Sequence, residues 1–184
     1  MKKFEEKTTK TEKIFDGKII SVQVDDVLLP DGNKSKREIV KHPGAVAIIP
    51  VTSDGKIIFV EQYRKPLERS IIEIPAGKIE PNEDPTVTAI RELEEETGYT
   101  TKSIQHISSF YTSPGFADEL IHLYYTEELI QLEEMVQGDE DEFIQLITLT
   151  LEEAEQYIVE KKIYDAKTIL AIQYVKISRM DKQC

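Results

Sequence analysis

The chain has 184 residues, enough for one good core or a medium domain with a small appendage. Its 23 basic and 35 acidic residues leave a net charge of −12, which argues against a nucleic-acid backbone or an anionic membrane as the main partner. The single cysteine, Cys184, is terminal and allows no intrachain disulfide, and neither a secretory leader nor a bilayer-spanning apolar run is visible, so the expected compartment is the cytoplasm.

Taken in chain order, residues 19–24 and 27–29 read as strand, Pro30-Asp31-Gly32-Asn33 as a turn, and 37–40 as the returning strand. His42-Pro43-Gly44 marks a boundary, which predicts one domain over 1–42 and a second over 43–184. The first is too short for a robust core of its own and should pack on something. Beyond it, the apolar runs 45–51 and 56–60 flank Ser53-Asp54-Gly55 and predict a hairpin. Further strands are expected at 71–74, 104–112, 120–126 and 143–149, with helices over 151–160 and 166–177. The acidic stretch 127–142 reads as a loop, and His42, His106 and His122 as ordinary turn or strand residues.

The segment from Gly77 to Tyr99 carries more information than the rest. Asp84-Pro85 is a helix start, since aspartate caps free amides and proline suits the first helical position; Gly98 is a natural stop. Val87, Ile90 and Leu93 predict the apolar side, while Glu92, Glu95 and Glu96 fall within one arc elsewhere. Like charges at these spacings cost a helix about 0.2–0.5 kcal/mol per pair. A cation would offset that repulsion: Arg91, or a hard divalent ion such as Mg2+ on Glu92 and Glu96. The plain alternative is a solvated acidic face.

Gly77, Glu83, Arg91, Glu92, Leu93, Glu95, Glu96 and Gly98 fill every fixed place of the pattern G-x5-E-x7-R-E-U-x-E-E-x-G-U, where U is a bulky aliphatic residue, and Tyr99 departs mildly at the last place. On those residues the chain resembles the Nudix hydrolases, which cleave nucleoside diphosphates linked to another moiety. Pro114, in Ser113-Pro114-Gly115-Phe116-Ala117-Asp118-Glu119, stands sixteen residues after Gly98, a placement typical of the ADP-ribose pyrophosphatases of that family.

The resemblance implies an α+β fold: an α/β/α sandwich with a mixed central sheet, plus a small N-terminal antiparallel sheet that exchanges between the subunits of a homodimer. It implies hydrolysis of ADP-ribose to AMP and ribose 5-phosphate, with Mg2+ or Mn2+ held by the Ala76 carbonyl and the carboxylates of Glu92 and Glu96. Glu95 either joins or supports them. The water's base is placed at Glu142, with Glu140 as the alternative. Arg64 would fork onto the diphosphate, Arg37 and Glu38 would meet the adenine end across the dimer, and Gly115 and Glu119 the terminal ribose. Phe15 or Ile19 could offer the base an apolar face. The rival readings are a Nudix enzyme for another nucleoside diphosphate derivative and a module that binds ADP-ribose without cleaving it.

Overall fold

A computed structural model of the chain describes residues 3–134, 136, 138 and 143–181. It divides into two units, Met1–Gly44 with Phe110–Ile121, and Ala45–Ser109 with His122–Cys184.

The first unit is built on an antiparallel sheet of β1 (Lys7–Asp16), β2 (Ser21–Leu28) and β3 (Lys34–Lys41), in that order. Register runs from Ser21↔Lys41 to Leu28↔Lys34 between β2 and β3. The expected turn closes that pair: Gly32 sits at φ 87, its N–H donates to the Leu29 carbonyl at 2.9 Å, and the Asp31 carboxylate caps Asn33 N at 3.0 Å. Strand β1 has no counterpart in the sequence reading. Every residue of Lys7–Asp16 is exposed, so the strand carries no apolar alternation to betray it. The 110–121 segment of this unit is tied to the end of β3, where Val40 N donates to the Phe116 carbonyl at 2.8 Å and Asp118 N to the Val40 carbonyl at 3.2 Å.

The second unit contains β4 (Ala45–Pro50), β5 (Ile57–Arg64), β6 (Arg69–Glu73), β7 (Ala76–Lys78), α1 (Pro85–Thr97) and β8 (Tyr99–Thr101). Strands β9 (Gln105–Tyr111) and β10 (Leu120–Thr126) follow, their ends reaching the first unit, and then β11 (Leu129–Gln131), β12 (Ile144–Leu149), α2 (Leu151–Val159) and α3 (Ala166–Asp181). One sheet has the order β7-β4-β10-β9, a second β12-β5-β6, and β11 pairs with β8.

The expected hairpin between 45–51 and 56–60 is only half present. Its turn forms, with Thr52 N bonded to the Lys56 carbonyl at 2.8 Å, but past the Val51↔Ile57 bridge β4 and β5 enter different sheets. All of β4 and the first four residues of β5 are buried, so each run serves two covered faces where a hairpin would leave one open. Strand β11 falls inside the stretch expected as an acidic loop, and β7, β8 and β11, of three residues each, are too short to carry an alternating pattern.

Helix α1 starts and stops as predicted: the Asp84 carboxylate accepts from Thr86 N at 2.8 Å, Pro85 holds the first position, and Gly98 closes at φ 71. Its buried side differs from the expected one. Ala89 and Leu93 are fully buried in a cluster with Val46, Ile48 and Tyr124, while Val87 is 56% exposed. The same inward rotation takes Glu92 and Glu96 out of water.

Candidate active site

Glu92 and Glu96 are 8% and 6% exposed, so the solvated-face reading of this acidic run does not hold for them. They lie against β7. The backbone N–H of Ala76 donates to Glu96 Oε2 at 2.9 Å, and the Glu92 carboxylate rests directly over Gly77. A Cβ placed on Gly77 would stand 1.9 Å from Glu92 Cδ, so only glycine lets that carboxylate approach the strand. The glycine that opens the motif is therefore required by contact rather than by backbone torsion.

Arg91 fixes the rest of the cluster. Its NH1 reaches Glu92 Oε1 at 2.9 Å and Glu95 Oε2 at 2.8 Å, while Nε and NH2 each lie 3.2 Å from an oxygen of Glu83. NH2 also reaches the Lys78 carbonyl at 3.4 Å. The Glu83 hydrogen bonds, with the neighbouring charges of Glu92 and Glu95, raise the arginine pKa further. The guanidinium in turn holds the Glu83 carboxyl below its usual range, helped by the Thr88 hydroxyl at 2.8 Å and opposed by burial. Arg91 thus orients three glutamates.

Among the described residues, no three His, Cys, Asp or Glu side chains already converge as a metal cluster. Arg91 lies between Glu92 and Glu95, and Glu96 turns one oxygen to Ala76 N–H. The donor set nevertheless fits a hard divalent cation: carboxylate oxygens two turns deep in one helix, a neighbouring backbone strand, and a glycine where a side chain would block approach. Burying two like charges four residues apart is costly unless a cation shares them.

Arg64, at the end of β5, donates from Nε to Glu73 Oε2 at 2.6 Å. Glu73 was absent from the sequence reading. Its signal was available, as a single charge inside the apolar run 71–74.

The remaining predicted substrate residues belong to the first unit. Arg37 NH2 pairs with Glu6 Oε1 at 2.6 Å, and its NH1 with Ser35 Oγ at 3.0 Å; Glu38 is an exposed residue of β3 opposite Val24. Glu119 accepts from the Thr112 hydroxyl at 2.5 Å and lies 3.7 Å from His42 Nε2. Gly115 borders open space. Asp118 ties this loop to β3 by accepting from Lys41 Nζ at 2.7 Å and His42 N at 2.9 Å, contacts with no clear sequence signal. Burial alone would push the Asp118 carboxyl up, but these two donors hold it below its usual range. Phe15 and Ile19 are 53% and 50% exposed. Glu140 and Glu142 lie outside the described residues.

The fold and this acidic helix define a Nudix protein, and the chain belongs to that family: the NUDIX domain matches residues 40–168. Residues 6–40 match the nucleoside diphosphate sugar hydrolase N-terminal domain. Members of the family generally use a divalent metal. Among curated proteins, the chain is 62% identical to the methanol dehydrogenase activator of Bacillus methanolicus over 96% of this chain and 95% of that one. It is 59% identical to the ADP-ribose pyrophosphatase of Bacillus subtilis (strain 168), covering 96% of each. A solved structure described as an ADP compounds hydrolase superposes with a TM-score of 0.83 over 97% of this chain and 96% of that chain, at 19% identity, a likeness of fold. Among the described residues, no helix is long and apolar enough to cross a membrane.

Proposed function

We propose that the chain hydrolyses the diphosphate of ADP-ribose to AMP and ribose 5-phosphate with the help of a divalent metal. The observation that carries the chemistry is the burial of Glu92 and Glu96 against Gly77 and Ala76. The substrate is supported by the Bacillus subtilis relative, an ADP-ribose pyrophosphatase. Mg2+, or Mn2+ with the same oxygen ligands, would screen the diphosphate and acidify a water when bound. The Ala76 carbonyl with Glu92 and Glu96 would hold it, and Glu95 would join or support them.

The chain's own groups do the rest. Arg91 keeps Glu92 and Glu95 aimed, and Ala76 N–H keeps Glu96 in place. Arg64 steadies the diphosphate. One water adds across the P–O–P bridge: one phosphorus gains the hydroxyl, the other keeps the bridging oxygen, and a carboxylate takes the water's proton. Glu142 is that base, with Glu140 the alternative. Arg37, Glu38, Gly115 and Glu119 are the further substrate contacts. A homodimer that exchanges the N-terminal sheet is favoured by edge strand β1, exposed throughout and carrying Ile14 and Phe15 at 57% and 53% exposure. Scattering in solution should give a dimeric mass; a monomer would contradict this. The cytoplasm is the proposed compartment.

The substrate test compares kcat/KM for ADP-ribose with a panel of nucleotide sugars and nucleoside triphosphates. ADP-ribose should be fastest. Another winner would keep the metal chemistry and discard the inference drawn from Pro114. The Bacillus methanolicus relative motivates a second reading, in which the chain activates a methanol dehydrogenase. Added to purified methanol dehydrogenase, the chain should then raise its rate with Mg2+, and E96Q should not.

A further inference from the structure

Glu73 closes β6 among Ile71, Ile72 and Ile74 and is 3% exposed. Its two oxygens serve different cations. Arg64 Nε donates to Oε2 at 2.6 Å, and Lys167 Nζ pairs with Oε1. Lys167 also lies 3.0 Å from Asp165 Oδ2, which accepts from Thr168 N at 2.9 Å and from its hydroxyl at 2.6 Å. That hydroxyl oxygen accepts from Ile74 N at 2.9 Å.

The chain beyond Glu73 is fixed residue by residue. After Ile74, the Pro75 carbonyl accepts from Ile48 N at 2.9 Å, and Ala76 N donates to Glu96 Oε2 at 2.9 Å. Four consecutive residues thus link Arg64 at one end to the buried glutamates of α1 at the other. Three residue steps of extended chain span at most about 11 Å, which bounds the backbone distance from the arginine's anchor to the residue that holds Glu96.

A buried ion pair is a weak source of stability compared with apolar packing, and an aliphatic residue would suit this run. What the charge adds is aim. The Arg64 side chain is 37% exposed while that of Glu73 is 4% exposed, so a buried carboxylate grips a side chain that is partly open to solvent. Gripping it through Nε restricts a flexible side chain before substrate arrives. We propose that Glu73 is a positioning residue that aims Arg64 at the substrate's diphosphate, whereas Lys167 neutralises the far oxygen and serves structure. The proposal rests on the reading of Arg64 as a diphosphate ligand.

The test uses R64A, E73Q, the double variant and K167M in the full chain. It measures KM and kcat for ADP-ribose with Mg2+, the Kd of α,β-methylene ADP-ribose, and Tm. E73Q should raise KM and Kd about tenfold, the loss of one charge-assisted hydrogen bond, with kcat within about threefold. The double variant should match R64A alone, because both remove one interaction. K167M should lower Tm as E73Q does yet leave KM within about twofold, since Arg64 keeps its anchor. Should E73Q fail to fold, Glu73→Asp keeps the charge, withdraws it by one methylene, and should still raise KM. Normal KM in E73Q or Glu73→Asp beside a raised KM in R64A, or effects that multiply in the double variant, would overturn the positioning role alone. Unchanged binding in R64A would overturn the underlying reading of Arg64.

Discussion

Two clusters in the second unit bury carboxylates, and they settle their charge differently. Around Glu73, two acids meet two cations: Arg64 and Lys167 share Glu73, and Lys167 also serves Asp165. On α1, the single guanidinium of Arg91 is divided among Glu83, Glu92 and Glu95, while Glu96 accepts from a backbone N–H. The first arrangement matches its acids with side-chain cations and so fixes where Arg64 stands. The second divides one guanidinium among three carboxylates on and beside one helix, an oxygen-rich setting that suits a hard divalent cation. Burial of charge is therefore uninformative until the chemistry of the partners is known.

The sharpest way to break this comparison is to remove a carboxylate from the acid-rich side. E96Q should lower kcat roughly a thousandfold or more, several kcal/mol of lost charge stabilisation, while Tm stays near that of the parent. Turnover near normal would place the metal chemistry elsewhere. The base comes next: E142Q should cost about 10²–10⁴-fold in kcat and E140Q far less, with the reverse order exchanging their roles.

A gentler change tests geometry instead of charge. Gly77→Ala puts a methyl where the Glu92 carboxylate lies, 1.9 Å from Cδ, so the carboxylate must leave its place. The Mg2+ concentration for half-maximal rate should rise about 10–100-fold, as when a supporting contact of a metal ligand is lost. An unchanged titration would show that Glu92 is not held there for metal.

The smallest effect concerns stability. Glu83 titrates below its ordinary 4.5 because Arg91 and Thr88 bond its charged form. A depressed carboxyl contributes stability that is present above 4.5 and lost as pH falls through the folded value. E83Q should therefore cost about 1–3 kcal/mol at neutral pH by denaturant unfolding, with the two proteins converging in acid. A gap that persists in acid would assign the loss to packing.

Much of this was legible in the residues. The cap, the proline and the closing glycine of α1 are local chemistry, and the fixed places from Gly77 to Gly98 identified the family without any contact being seen. What local pattern could not show was which side of the helix turns inward. Val87, Ile90 and Leu93 form a plausible apolar stripe, yet Val87 is exposed and Glu92 and Glu96 are buried, because the strand at Ala76 and Gly77 draws the acids in. Strand β1 was invisible for the opposite reason, having no covered face within one chain. The partition of β4 and β5 between two sheets depends on distant partners such as β10 and β12, which a turn motif cannot report.

The central claim is that the acidic side of α1 recruits a divalent metal to split ADP-ribose. Ion-pair chromatography of products after incubation with ADP-ribose, with and without Mg2+, tests it most directly. AMP and ribose 5-phosphate formed only with metal is the predicted result. Intact ADP-ribose in the presence of Mg2+, with the nucleotide bound but uncleaved, would contradict it and leave a binding module in its place.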